Sequence, residues 1–495
     1  MRAALAVVVL AGCDKLLGLG DIAPVPDANP YAVTGTLLER YATNDATYMP
    51  LVEQLVPDRA AATATLDDGT TPIVDYQTDG TFSFPLAHAG QRYRLSLAAA
   101  DGGFDVESDA PQLALASTVA ARPVADRTLV TRPTPISLIL SAAGGLYGEI
   151  YVASTGQWSL ADTGTTGAGS TQSTQLGFDW RLAGALAPPI GLLDASDDND
   201  LLYVLEYSPK SLPSGPYLSV THYRTVAVDQ VDGVALQLTL TLDAPTTASC
   251  LSISASVAEE DQRWVAAIPG ATSSGADWLI SAIPSYQLGT TGALVVTYTP
   301  RSPPYPSTSA IDQTFYNPYL GSVLVANLAV GLQRALQLPG TQPFLAPFGT
   351  QLWVQAPTSA ACAGLALPAG MVGIAGDPMV NGVAIAADAT AVALPAAPRL
   401  DVAWDLASSG PVDVTNVAVY ELRAVAGYTV PHLIDQTSTT TRSAWLSTSK
   451  LVAGRTYVLR FDAMTGYPGA ATGDYATAAF PHAVATSWSH YFTVQ

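Results

Sequence analysis

The chain has 495 residues, and its 41 acidic against 21 basic side chains give a net charge of −20. A single hydrophobic core stops growing at about 250–300 residues, so this length excludes a one-domain protein. The acidic balance excludes nucleic acid and anionic lipid headgroups as electrostatic partners, and 48% hydrophobic residues exclude a disordered chain.

At the N-terminus Arg2 precedes the apolar run 3–11, which is too short to span a bilayer of about 20 helical residues. A positive start, a short apolar stretch and small residues at its end read as a secretory signal peptide. The stretch Leu10-Ala11-Gly12-Cys13 resembles the lipobox of bacterial lipoproteins. The resemblance implies cleavage after Gly12 and a lipid on the Cys13 thiol, which would anchor the chain to a membrane of a Gram-negative cell envelope. The plain alternative is an ordinary signal peptide with an incidental cysteine. Asp14 resembles an inner-membrane retention signal that does not hold in every lineage, so the membrane and leaflet stay open. Residues 13–30, with Pro24, Pro26 and Pro30, read as a semi-extended tether.

From residue 31 the dominant pattern is strict alternation of apolar and polar side chains, the mark of half-buried strands. Over 31–98 it is carried by Val33-Thr-Gly-Thr-Leu37, Ala62-Thr-Ala-Thr-Leu66, Thr78-Asp-Gly-Thr-Phe-Ser-Phe84 and Gly90-Gln-Arg-Tyr93. These residues resemble the carboxypeptidase-regulatory-like, or transthyretin-like, β-sandwich. Within the segment, 51–62 allows one short helix. Residues 99–245 and 246–397 read as two β-rich units of unknown type, divided near 242–250. The first contains the clearest alternation in the chain, with Val234, Leu236, Leu238, Leu240 and Leu242 on one face. In the second, 321–338 is ambiguous between helix and strand.

Residues 393–400 read as a linker before a last unit at 398–495. There Leu400, Val402, Trp404 and Leu406 alternate inward, as do Trp488, His490, Phe492 and Val494. Trp404 and the run Leu451-Val-Ala-Gly-Arg-Thr-Tyr457 resemble the fibronectin type III domain, with Ala453 where that family has proline. Three tyrosines follow a glycine-containing turn: Tyr93, Tyr217 and Tyr457. Each is a candidate tyrosine corner, returning its hydroxyl to backbone across the bend. The fold class is therefore all-β, several β-sandwich domains in series.

Catalytic motifs are absent: no nucleophile elbow, no H-E-x-x-H, no phosphate loop, no C-x-x-C and no dinucleotide fingerprint. The five histidines (His88, His222, His432, His482 and His490) are scattered and read as structural. The loop with Asp194, Asp197, Asp198, Asn199 and Asp200 offers oxygen ligands to a hard cation such as calcium. The EF-hand spacing fails, and the alternative is an acidic solvated loop. No other cofactor is expected. Cys250 and Cys362, an even pair in an oxidising compartment, are read either as a disulfide or as two buried thiols. Tyr305, Phe315, Tyr316 and Tyr319 form an aromatic region that suits a ligand surface or a plug at a sandwich end. The function expected is non-enzymatic: adhesion, binding or scaffolding at the cell envelope, with an unknown protein or glycan partner. The alternative is an accessory carbohydrate- or peptide-binding lipoprotein beside a secreted hydrolase.

Overall fold

The computed structural model describes residues 31–44, 50–55, 59–99, 102–120, 128–142, 146, 149–154, 160–165, 174–180, 191–197, 200–212, 215–246, 248–283, 293–298, 305, 309–319, 323–357, 362–394 and 399–495. Residues 1–30, on which the signal-peptide, Cys13 lipidation and tether readings fall, lie outside them. The described chain is all-β, arranged as four two-sheet sandwiches.

The first sandwich contains β1 (Ala32–Asn44), β2 (Pro50–Leu55), β3 (Arg59–Leu66), β4 (Asp75–Tyr76), β5 (Thr81–Pro85), β6 (Tyr93–Ala99), β7 (Gly102–Ser108) and β8 (Gln112–Ala120). In one sheet β1 pairs with β2, β5 and β8, and β4 joins β5; in the other β3, β6 and β7 lie side by side. Val33, Leu37, Phe82, Phe84, Tyr93, Leu95 and Leu97 are buried between them. The unit therefore runs on to Ala120 rather than ending at 98, because β7 and β8 complete its two sheets. The stretch 51–62 holds strands, not a helix.

The second sandwich contains β9 (Pro135–Ala142), β10 (Glu149–Ser154), β11 (Leu160–Thr165), β12 (Thr174–Asp179), β13 (Leu201–Leu212), β14 (Gly215–Ala227) and β15 (Leu236–Leu242). Its sheets are β12-β9-β15 and β11-β10-β13-β14. Leu236, Leu238 and Leu240 pack against the core from β15. Val234 lies before the strand and is exposed.

The third contains β16 (Ser249–Ala255), α1 (Val257–Ala267), β17 (Thr272–Ile283), β18 (Ala293–Tyr298), β19 (Ser309–Phe315), β20 (Val323–Leu336), β21 (Phe344–Gln355) and β22 (Ala363–Leu367). The ambiguous stretch 321–338 is strand β20, which has β17 on one side and β21 on the other. A central strand covered on both faces loses its polar face, so its sequence reads as a nearly continuous apolar run. The helix α1 carries no clear apolar period, because one of its three buried residues, Val257, Glu260 and Trp264, is charged. Cys250 and Cys362 form a disulfide that ties β16 to the entry of its parallel neighbour β22. Closing a loop of 112 residues stabilises the fold by roughly 4–5 kcal/mol in the chain-entropy account.

The fourth contains β23 (Ile374–Val380), β24 (Val383–Ala384), β25 (Thr390–Val392), β26 (Arg399–Ser408), β27 (Val414–Val425), β28 (Tyr428–Thr439), β29 (Ser443–Ser447), β30 (Thr456–Thr465), β31 (His482–Trp488) and β32 (Phe492–Val494). One sheet is β24-β23-β26-β29; the other is β28-β27-β30-β31, with β32 continuing beside β30. The unit begins near Val372, not at 398: β23 pairs with β26, and β25 pairs in parallel with β32. The strands on either side of 393–400, β25 and β26, thus belong to one sandwich. Alternation also breaks before β32, and His490 sits in that break bonded to Asp388 at 2.9 Å.

The four sandwiches share one sheet. Strand β14 of the second pairs with β18 of the third, β21 of the third with β31 of the fourth, and β28 of the fourth with β7 of the first. The spatial order along this sheet is second, third, fourth, first. The first sandwich in the sequence thus docks on the last.

Trp404 and Tyr457 lie in one core with Phe461, whose ring centroid is 5.3 Å from that of Trp404. The Tyr457 hydroxyl accepts from the Val452 N–H at 2.8 Å, closing a local corner. Tyr93 instead donates to the Ala110 carbonyl at 2.6 Å, and Tyr217 reaches the Thr314 carbonyl of the next sandwich at 3.0 Å. Trp404→Ala is expected to cost about 3–5 kcal/mol, as for other large buried aromatics. Tyr457→Phe is expected to cost about 1 kcal/mol, the net worth of one hydrogen bond, since Val452 lies at the surface. Denaturant unfolding of the full chain, followed by a probe in the last sandwich, measures both. A fragment starting at 371 is expected to unfold cooperatively, and one starting at 398, lacking β23 and β25, is not.

Candidate functional site

The described part of the acidic loop is folded around its own backbone. Asp194 accepts from the Asp197 N–H at 2.8 Å, and the buried Asp200 accepts from the Asp194 N–H at 3.0 Å. Asp229 bonds the backbone N–H groups of Ala195 and Ser196 and the Ser196 hydroxyl. Asp198 and Asn199 lie outside the described residues. Among the described residues no three His, Cys, Asp or Glu side chains gather as metal ligands.

The aromatic region is a plug rather than an open ligand surface. Tyr305, Phe315 and Tyr319 are buried in the core that the second and third sandwiches share. Tyr319 packs on Tyr203 with centroids 4.9 Å apart. Tyr316 remains half-buried, with the Lys210 ammonium 5.1 Å from its ring. Large aromatic side chains fill a junction efficiently, because each removes much apolar area from water.

The histidines do not converge. His482 is buried, contacts Trp353 and Tyr467, and bonds the Thr465 carbonyl at 2.5 Å. Burial holds its pKa below the usual histidine value. His222 meets the buried Glu206 at 2.5 Å. Glu260 of α1 receives bonds from Arg263, the Thr350 hydroxyl and the Gly370 N–H. Burial alone would raise its carboxyl, but Arg263 and Thr350 outweigh that and hold it low. This network fixes the helix on its sandwich.

Among the described residues, charged and aromatic side chains gather where the first sandwich meets the last. Arg94 grips Asp435 with two bonds of 2.7 Å and donates to the Gln436 carbonyl at 2.7 Å. Glu107 accepts from the Trp445 N–H at 2.8 Å and pairs with Arg92. The guanidiniums of Arg92 and Arg399 lie 5.4 and 5.3 Å from the Trp445 ring. A second contact is made by the loop between β30 and β31. Ala114 of β8 donates to the Gly473 carbonyl and accepts from the Tyr475 N–H, both at 2.9 Å. Gly473 has φ +95°, and any Cβ there would collide with the Gln112 carbonyl, so only glycine fits. Beside Trp445 the junction leaves a crevice of about 260 Å³, lined from the first sandwich by Arg92 and from the last by Met379, Gly382, Arg399, Asp401 and Ser443 among others. No local pattern points to it, since Arg92 and Arg399 lie more than three hundred positions apart in the chain.

No protein-family model matches the chain, and no curated protein matches its sequence. Solved structures give distant similarities. The Bacillus anthracis TIE protein is 9% identical, with a TM-score of 0.12; the alignment covers 83% of this chain and 64% of that one, so just under two thirds of its length is spanned. A Bacteroides ovatus ATCC 8483 protein classed as an adhesin is 8% identical, with a TM-score of 0.14, covering 51% of this chain and 98% of that one. The N-terminal four Ig domains of Dscam1 isoform 4.4 are 8% identical, with a TM-score of 0.13, covering 94% and 98%. Overlaps this small carry no argument about function.

Glu107 makes the junction sensitive to pH. Burial pushes its carboxyl from an ordinary value of 4.5 up to about 7, against the pull of Arg92, the Trp445 N–H, Arg94 and Arg399. The folded chain then holds a proton that the unfolded chain releases, so stability falls as pH rises from about 4.5 to 7. That gap corresponds to on the order of 3 kcal/mol. Protection factors of β7 and β28 amides in hydrogen exchange are expected to drop between pH 5 and pH 8. In Glu107→Gln, which keeps an acceptor for Trp445 and cannot ionise, this part of the drop should vanish.

Proposed function

We propose that the chain is a lipid-anchored, non-enzymatic protein of a Gram-negative cell envelope, acting in adhesion, binding or scaffolding. The observation that carries the reading is the joining of four sandwiches, edge strand to edge strand, through one sheet. Hinged domains in a chain keep small, polar interfaces. Here backbone pairing, shared apolar cores and buried ion pairs fix the domains against one another, which suits a rigid spacer or platform. The polar clusters of the described residues serve this assembly: Glu260 holds α1, Arg94 and Glu107 hold the first sandwich, and Asp229 closes a loop. The lipobox resemblance at Leu10–Cys13 supports the anchor, and the acidic surface suits an extracytoplasmic protein. A second reading, accessory binding of a carbohydrate or peptide, is favoured by the crevice beside Trp445.

Metabolic labelling with a palmitate analogue is expected to mark the wild type and leave Cys13→Ala unlabelled, with the variant lost from the membrane fraction. Cells carrying the wild type should attach to a partner surface, and cells carrying Cys13→Ala should not. Equal labelling would remove the anchor. Sustained turnover of esters, glycosides or peptides by the purified chain would replace the binding role with an enzymatic one.

A further inference from the structure

We infer that the crevice between the first and last sandwiches binds an acidic sugar, a single hexuronate-type ring bearing one carboxylate and neighbouring hydroxyls. The inference rests on the binding reading above and gives it a ligand. It begins with the guanidiniums. In a chain with 21 basic residues against 41 acidic, two arginines from different domains flank one indole. Each is already held: Arg92 by Glu107 and by longer contacts to Thr441 and Ser443, and Arg399 by the Asp67 carbonyl, which accepts from Nη1 at 2.8 Å, with the Asp401 carboxylate 3.0 Å from Nε as an ion pair. Those bonds orient the planes and leave N–H groups over. Among the described residues, Nη2 of Arg399 and Nε of Arg92 have no protein partner. Guanidinium donors held in a fixed plane are suited to a carboxylate.

The other walls narrow the class. Asp401 is an acceptor with a side chain 59% exposed, and Ser443 adds a hydroxyl. A second negative charge on the ligand, as on a phosphate dianion, would meet Asp401. Hydroxyls would donate to it instead. Met379 is 39% exposed and, with Ala403, offers an apolar strip for one face of a ring. The volume of about 260 Å³ lies near the lower end of ligand pockets, so it takes one ring rather than a chain. Because Arg92 comes from the first sandwich and the rest from the last, the site exists only while the two are docked.

Titration of the unlipidated full chain (Cys13→Ser) by saturation-transfer NMR tests this, with glucuronate, glucose and N-acetylglycine as probes. Glucuronate is expected to bind at least about 10-fold more tightly than either of the others, the scale of one charge-assisted interaction lost. Arg399→Gln should weaken glucuronate by about 10-fold, and Arg399→Lys by less. Asp401→Asn, which leaves both arginines, should erase the preference for glucuronate over N-acetylglycine. No glucuronate binding, binding unchanged in Arg399→Gln, or equal binding of N-acetylglycine would each overturn the assignment. Binding of glucose or N-acetylglycine with no preference for glucuronate would remove the acidic sugar and leave the binding reading standing, whereas binding of none of the three would remove both; the Cys13 labelling tests the envelope role separately.

Discussion

The structure depends on what happens at the edges of its sheets. A strand at a sheet edge exposes a row of unpaired N–H and C=O groups, which is a template for pairing with any other strand. In this chain six of those edges are joined in three pairs between neighbouring sandwiches. Strand β21 meets β31 over the five pairs from Gly349–Thr486 to Trp353–His482. The other two joints are shorter, and side chains complete them. At β14 and β18 the shared core of Tyr203, Tyr217, Phe315 and Tyr319 adds apolar burial. At β7 and β28 the Arg94–Asp435 fork and Glu107 supply directed bonds.

The joint of the first sandwich with the last is the most polar of the three, and also the most committed. Residues of the last sandwich, Val414, Ala470 and Tyr475, belong to the core of the first. The loop between β30 and β31 is long because it is an arm laid along β8, with Arg40 donating to its Ala476 carbonyl at 2.7 Å. Buried ion pairs are a poor source of net stability, since desolvation consumes most of their attraction. Their value here is register. A fork such as Arg94–Asp435 has one good geometry, and a parallel pairing of only Ser438–Val106 and Thr439–Glu107 needs something else to prevent a slip.

Local pattern made the fold class legible, and it failed where tertiary context decides. Leu400, Val402 and Trp404 alternate with exposed neighbours because β26 has one face in the core and one face outward. The same logic misled at 321–338, since β20 has its outer face covered too. It also misled at 393–400, where two prolines suggested a linker although β25 and β26 on either side belong to one sandwich. Tyr457 was legible as a corner because its partner, Val452, is five residues away. Tyr217 resembled it in sequence, yet its hydroxyl is bound 97 positions away. The candidate site was invisible for the same reason: Arg92 and Arg399 come together only once the first and last sandwiches dock.

That docking constrains the whole array. Along the shared sheet, eight strands (β18, β17, β20, β21, β31, β30, β27 and β28) separate β14 from β7. Neighbouring strands of a sheet are rotated by about 20–25°, so these nine steps turn the strand direction by roughly half a revolution. A rotation carried by backbone pairing fixes the orientation of each sandwich against the next, and opening the array at any point means breaking one of the three edge joints.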